Sequence, residues 1–493
     1  MQSERARFFK NAISNVINGA SSAAFAIILP YFFVRYFDRA EFGVWLLVLQ
    51  LAAYINYFNF GVQTAIGRYV SQAIGTGDRN LAERILTAGV QILAVLAVLG
   101  FFVMAGLAWS FPLIFRQVDT KLVPVAQSAL MWVGSALAIG LPFSAFLGIF
   151  IGLQRNDIAA VIAMIGKFFL AVLLIVTAAT SRDLKAVGEM YFVGSVLIYI
   201  AQYVTFLKLC RDWTLRIVQR VKTEIRELTV YCAGLTIWFL AMFLINGIDT
   251  TIVGFFNFRM VAAYGAAISI VGFFSGAIQA LMAPLIQIFA KLEARAETDR
   301  LVDLVYRSSF GCSLFLFTSA PLLISLSNPI FTAWVGPEIA KDAVPLFNIL
   351  IVANALRCSA IPYANYLIAT GQQRRVMFGP AAEGLTNLGV SLVGAYLIGA
   401  LGVALGTLAG ALVGVSVNYL YNFDRTMPPT ASIRQMAKAN FLRPLSLAAP
   451  LIIVTEAQLA KLLPYNAAFA AIALACVPAA IIGYRQLLAT AEN

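Results

Sequence analysis

The sequence predicts an all-α polytopic membrane protein of about fourteen transmembrane helices, and three observations predict it. Of 493 residues, 61% are apolar and only 12% charged, with a mean hydropathy of +0.85. A soluble domain carries about 25% charged residues; half that share leaves too little polar surface to cover a globule of this length. Apolar runs long enough to cross a hydrocarbon core, about 20 residues each, recur along nearly the whole chain. These runs are apolar on every face and about twice as long as the alternating, ten-residue strands of a membrane barrel, so the spans are helices, which satisfy their own backbone in lipid.

Spans are expected at about 11–34, 42–64, 85–108, 123–150, 158–179, 188–209, 229–254, 261–289, 308–328, 344–369, 377–398, 401–421, 442–459 and 467–484. The first apolar run follows Arg5, Arg7 and Lys10 and outlasts the 7–15 residues of a typical signal-peptide core, so it is read as a retained span. An even count places both termini on one side. Of the 35 Lys and Arg residues, 24 fall on that side, 9 on the other, and Lys167 and Arg357 inside spans. The excess of positive charge assigns both termini to the cytoplasm of a multi-pass inner-membrane protein. It also accounts for the net charge of +12 without nucleic acid. The longest connections, 210–228 and 422–441, are both cytoplasmic. Five cysteines, in or beside spans, suggest no disulfide framework, and the absence of histidine removes the commonest proton relay and metal ligand.

Two loops repeat. Ala40-Glu41-Phe42-Gly43 after the first span matches Ala262-Ala263-Tyr264-Gly265 after the seventh, at an offset of 222. Gly152-Leu153-Gln154-Arg155 after the fourth matches Gly371-Gln372-Gln373-Arg374 after the tenth, at 219. The repeat divides the chain into two parallel six-helix bundles, 1–210 and 225–421, and two additional helices at 442–484. Parallel repeats of this kind place cargo between the bundles.

Ionisable groups inside spans are costly and face a cavity or a partner. Here they are Lys167 in the fifth span, Arg357 in the tenth, Asp249 in the seventh and Glu383 in the eleventh. The bases are candidate contacts for an anionic cargo; the acids are candidates for ion coupling or for pairing with those bases. At 100° per residue, Asn354, Arg357 and Asn365 share a sector of about 80°, Asn56, Asn59 and Gln63 one of about 60°, and Glu383, Asn387 and Ser391 one of about 80°. Such stripes line a wet cleft or bridge neighbouring helices. No phosphate-binding Gly-x-x-x-x-Gly-Lys-Ser/Thr motif is present. No outer loop is long enough for a catalytic head, and no paired carboxylates mark a membrane face. The chain therefore reads as a transporter without a cofactor, driven downhill or by an H⁺ or Na⁺ gradient, and not as an enzyme.

One stretch carries a resemblance. Phe42-Gly43-Val44-Trp45, Asn59-Phe60-Gly61-Val62, Ile66-Gly67-Arg68-Tyr69-Val70-Ser71 and Gly75-Thr76-Gly77-Asp78 stand in order, with Asp249 and Ala263-Tyr264-Gly265 in the second half. This pattern resembles the polysaccharide-flippase branch of the multidrug/oligosaccharidyl-lipid/polysaccharide exporter superfamily, over the twelve repeated spans. The resemblance implies alternating-access transfer of an undecaprenyl-diphosphate-linked oligosaccharide, such as an O-antigen, capsule or exopolysaccharide unit, to the outer leaflet. Lys167 and Arg357 would meet the pyrophosphate, Asn56, Asn59, Gln63, Asn354 and Asn365 the sugar, and Arg68 would stand at the cytoplasmic mouth. The implied partners are the lipid-linked cargo, membrane lipid and a polysaccharide polymerase. Two related branches remain as alternatives. A cation-coupled multidrug antiporter is disfavoured by the lack of a mid-span carboxylate in the first bundle. A flippase for the peptidoglycan lipid precursor is disfavoured by a first span whose polar groups are only Asn15, Asn18, Ser21 and Ser22.

Overall fold

The computed structural model describes residues 25–213 and 221–460, and every element among them is helical. Eleven helices are long and apolar enough to cross a membrane, and a bent pair, Lys222–Gly234 with Trp238–Asn246 at 51°, makes a twelfth. They correspond one for one with the second to thirteenth expected spans. Of the first span, the helix Phe25–Tyr36 is described; the fourteenth, at 467–484, lies outside the described residues. The end that the charge count assigns to the cytoplasm is called inner below.

The expected loop at 422–441 is shorter than its sequence suggests. The twelfth span runs on to Thr426 and the thirteenth begins at Ile433. Each contains one wide π-helical turn, Asn418–Asn422 and Lys438–Leu442. The polar residues there are helical, and low hydropathy had hidden them from a span-by-span reading.

Besides the bent seventh, three long spans among the described residues are interrupted, each for a local reason. The second consists of Arg39–Ala53, a 3₁₀ turn Tyr54–Asn59, and Val62–Gly75. The break falls at Phe60 and Gly61, both left-handed at φ 45° and 81°. The eighth breaks between Met282 and Leu285, where Pro284 has no N–H to continue the ladder. The tenth breaks between Cys358 and Ile361, ahead of Pro362. A single 100°-per-residue projection therefore does not hold across Asn56–Gln63 or Asn354–Asn365, and those two stripes are not continuous faces.

The chain divides into two compact units, 1–265 and 266–493. In the first, Arg84 Nε meets the buried Glu224 carboxylate at 2.8 Å and ties the inner end of the third span to the seventh. In the second, Phe289, Leu301, Val305, Tyr363, Tyr366 and Phe423 form an inner-end core. The thirteenth span packs along the ninth. Lipid tails are as apolar as leucine, so polar bolts and close packing carry such contacts, at about 0.6–2 kcal/mol per interhelical hydrogen bond. Two bolts sit near the outer end. Ser325 donates to Gln458 Oε1 at 2.5 Å while Gln458 Nε2 returns a bond to the Ser325 carbonyl at 3.1 Å. Thr455 reaches the Pro321 carbonyl at 3.3 Å.

Helix ends recur in kind along the backbone. After the second span, Gly77 N–H bonds Ile74 O and Asp78 N–H bonds Ala73 O; after the eighth, Ala296 bonds Glu293 and Glu297 bonds Leu292. After the fourth, Gln154 bonds Ile151 and Arg155 bonds Phe150; after the tenth, Gly371 bonds Ile368 and Gln372 bonds Leu367. All four are one helix-ending motif with a left-handed residue at its corner, at φ 75°, 55°, 58° and 70°. The outer turns at Arg182 and Gly399 share a positive φ, 49° and 66°, but not a conformation, with ψ 34° at the first and −140° at the second. The offsets are 219, 217 and 217. The equivalence read from Gly152 and Gly371 therefore slips by two residues: Gln154 is the counterpart of Gly371.

A left-handed corner costs an L-residue about 1–2 kcal/mol, part of which glycine recovers. Ala296 is exposed, so Ala296→Gly should stabilise the protein by up to about 1 kcal/mol. A Cβ on Gly371 meets nothing within 4 Å, so Gly371→Ala should destabilise it by about 1 kcal/mol through the backbone alone. Thermal unfolding in detergent measures both; shifts of the opposite sign would disprove the equivalence of the two corners.

Candidate functional site: charged and polar side chains within the spans

Arg357 occupies the last turn of the helix Pro337–Cys358, and Glu383 the second turn of Phe378–Ile398. Arg357 Nε donates to Glu383 Oε1 at 2.5 Å, with the side chains 21% and 11% exposed. The two sequence-predicted charges of this unit are thus an ion pair. The pair is incompletely matched: Arg357 Nη2 is buried and has no hydrogen-bond partner. An unsatisfied donor on a charged group in a low-dielectric setting is expensive.

Glycines make room for the acid. The helices Phe378–Ile398 and Ala400–Val417 lie face to face, joined by a turn at Gly399. A Cβ on Gly414 would overlap Glu383 Oε2, and one on Gly406 would overlap the Ser391 hydroxyl. Asn387 and Ser391, both fully buried, hydrogen-bond each other at 3.1 Å, and Ser391 lies 3.3 Å from the Val403 carbonyl. The Glu383/Asn387/Ser391 stripe therefore bridges two helices instead of lining a wet cleft, and only Glu383 turns toward a charge.

Of the other tenth-span candidates, Asn354 accepts from Ser275 at 2.5 Å. Asn365 is buried and donates to the Met282 carbonyl at 2.8 Å, closing the end of the helix Val261–Met282 at its break. Asn365 is thus committed to the backbone.

The remaining candidates lie in the first unit. Asn59 does similar service to Asn365: its Oδ1 accepts from Gln63 N–H at 3.1 Å across the break, and its amide reaches Ser144 at 3.1 Å. Asn56 is exposed and the Gln63 side chain half-buried. Lys167 is half-buried on Asn156–Ser181, between the exposed Ile165 and Phe168. Arg68 is exposed and lies over the Tyr231 ring at 5.1 Å, near the inner end.

Asp249 is 3% exposed and opens the helix Asp249–Phe256, where a carboxylate complements the amide end. Tyr264 donates to it at 3.3 Å. Around it, the seventh span and the start of the eighth clasp the outer half of the second. Gln50 donates to the Gly247 carbonyl at 2.6 Å, and Tyr54 bonds Thr251. Arg39 reaches the Arg259 carbonyl at 3.2 Å. Gln117 joins from the third–fourth loop, accepting from Phe258 N–H at 3.0 Å and donating to Phe256 O at 2.8 Å. The repeated loops meet within this clasp, Gly43 against Ala262 and Phe258, and Gly265 against Leu46.

Sequence reading missed the polar partners that complete these groups: Ser275, Tyr264, and a buried Asn440 treated below. Ser275 and Tyr264 lie in spans but carry no charge, and Asn440 lay in an apparent loop.

No known family model matches the chain, and no curated protein matches its sequence. Solved structures do match in fold. The lipid II flippase MurJ in an inward closed conformation aligns over 98% of this chain and 99% of its own, with a TM-score of 0.67 at 14% identity. An inward-facing multidrug-resistance MATE transporter of the MOP superfamily aligns over 87% and 99%, with a TM-score of 0.66 at 15% identity. A point mutant of the Vibrio cholerae MATE transporter VcmN covers 85% and 96%, at 0.62 and 15%. The chain has the fold of these membrane transporters.

The pair makes a separable prediction. Glu383→Leu leaves a partly buried guanidinium without its counter-charge and should cost about 2–3 kcal/mol, below the range of a fully buried pair. Arg357→Met combined with Glu383→Leu should recover most of that loss. Thermal unfolding of the two single variants and the double variant tests it; strictly additive losses would mean that the charges do not depend on each other.

Proposed function

We propose that the chain is a transporter of the MOP superfamily that flips a polyprenyl-diphosphate-linked oligosaccharide from the cytoplasmic to the outer leaflet of the inner membrane. The observation that carries this reading is the tenth-span guanidinium, held in a span by one carboxylate and retaining a donor nitrogen without an acceptor. A diphosphate oxygen is a strong acceptor for that donor, and Arg suits phosphate geometrically. Lys167 supplies a second base in the other repeat. The prenyl tail stays in lipid and the sugar meets amide and aromatic side chains. The nearly complete overlap with a structure named as a lipid II flippase supports a lipid-linked cargo over a small drug.

In this reading the two six-span bundles expected from the sequence, 1–210 and 225–421, move in alternating access, with both termini cytoplasmic. A polysaccharide polymerase is the expected partner. In this reading the outer clasp parts in each cycle. Tyr54→Cys with Thr251→Cys in a background without the native cysteines, bridged by a disulfide-containing bis-maleimide that spans the place of the phenol ring, should arrest transport, and reductive cleavage of the linker should restore it. Unimpeded transport in the crosslinked protein would rule out that movement.

A multidrug antiporter is the second reading, favoured by the buried Asp249 and by the MATE likeness. In it Asp249 or Glu383 takes the coupling H⁺ or Na⁺. Deleting the gene separates the readings, because loss of surface polysaccharide without altered drug susceptibility supports the flippase. Complementing the deletion with Lys167→Ala or Arg357→Ala should fail at normal membrane levels of protein. Normal polysaccharide in both strains would sink the assignment of those bases to the cargo.

A further inference from the structure

We propose that Asn440, on the thirteenth span outside the repeat, is a positioning residue for Arg357. The inference rests on the cargo reading only in naming what Arg357 holds; the geometry below stands without it.

The tenth span stops one residue beyond Arg357. Pro362 has no N–H, so the Cys358 carbonyl loses its helical donor. The Cys312 thiol of the ninth span takes up that oxygen at 3.6 Å. Ser359, next in line, is fully buried in the break. Its hydroxyl turns back to the Leu356 carbonyl at 2.7 Å and accepts from Asn440 Nδ2 at 3.2 Å. The other end of the same amide accepts from Ser313 of the ninth span at 2.7 Å. Asn440 is fully buried and lies in the π-helical turn Lys438–Leu442, which places one extra residue on the inward face.

A single amide thus fastens three spans at the level where the tenth is cut. Without it, the end of Pro337–Cys358 is held only by the weak Cys312 thiol bond and is freer to rotate about its axis. Such a rotation carries Arg357 away from Glu383 and Asn354 away from Ser275. The thirteenth span is already bolted to the ninth near its outer end by Gln458 and Thr455. A buried amide at its inner half is therefore not needed to hold it in place. What the amide adds is a fixed direction for the turn that carries the guanidinium.

Two measurements test this. The first uses no cargo. In the full chain with Cys358 as sole cysteine and Cys312→Ser keeping a hydroxyl donor for the Cys358 carbonyl, Asn440→Leu removes both legs of the staple, and Ser359→Ala removes the acceptor of Asn440 together with its own bond to the Leu356 carbonyl. Each should raise the maleimide labelling rate of Cys358 at least tenfold over the exposed control Ser446→Ala, in protein that still elutes as a folded species. Unchanged labelling in both variants overturns the proposal. The second uses farnesyl diphosphate as probe, with farnesol as the neutral comparison. Ser359→Ala should weaken farnesyl diphosphate binding at least fivefold, leave farnesol unchanged, and have no further effect in an Arg357→Lys background. Equal loss in both backgrounds overturns the proposal, because the residue then acts through general packing. Accelerated labelling in a protein that never binds farnesyl diphosphate upholds the positioning role and overturns the diphosphate reading instead.

Discussion

A helix cut inside a membrane exposes backbone groups that lipid cannot satisfy. Much of what is specific about this molecule follows from how its cuts are closed. The second span is cut at Phe60, and Asn59 takes the Gln63 N–H in the first turn beyond it. The eighth is cut at Pro284, and Asn365 takes the carbonyl of Met282. The tenth is cut before Pro362, and Cys312 takes the carbonyl of Cys358. In each case a side chain of the same or a neighbouring span supplies the missing partner. Removing one of these groups costs more than its own bond, because the orphaned backbone group remains buried.

The same constraint explains how far the sequence could be read. Spans are set by hydropathy, a sum over some twenty residues that tolerates local exceptions. All twelve described spans could therefore be placed, and charge asymmetry gave them an orientation. Of the glycines that carried the repeat in sequence, only Gly371 is a left-handed corner; its structural counterpart is Gln154 and not a glycine, which is why the second match was off by two. Polar stripes were less legible. Asn365 and Asn59 looked like cleft-lining groups because amides that bind cargo and amides that close a helix break have the same hydropathy. The distinction depends on where a helix is cut, and Pro362 and Gly61 were signals of that. Arg357 and Glu383 could be named as a possible pair from their cost in lipid. That the two bond each other, and that one guanidinium nitrogen is left over, required coordinates.

The charged pair and the glycine face form one construction. Glu383 approaches Arg357 from a helix whose other side is pressed so closely on Ala400–Val417 that methyl groups at Gly406 or Gly414 would collide with it. Close packing of small residues gives helix pairs in lipid much of their affinity. Here it also limits where the acid can stand, so packing and electrostatics are set by the same four-residue spacing.

The two π-helical turns have a consequence for comparing this chain with its structural neighbours. Each wide turn is a one-residue insertion that rotates everything beyond it by about 100°. Thr455 and Gln458 face the ninth span only because Lys438–Leu442 contains that extra residue. Where a chain of the same fold lacks such a turn, an alignment that confines gaps to loops misassigns every position beyond it by one, and the gap belongs inside the helix, at 418–422 or 438–442.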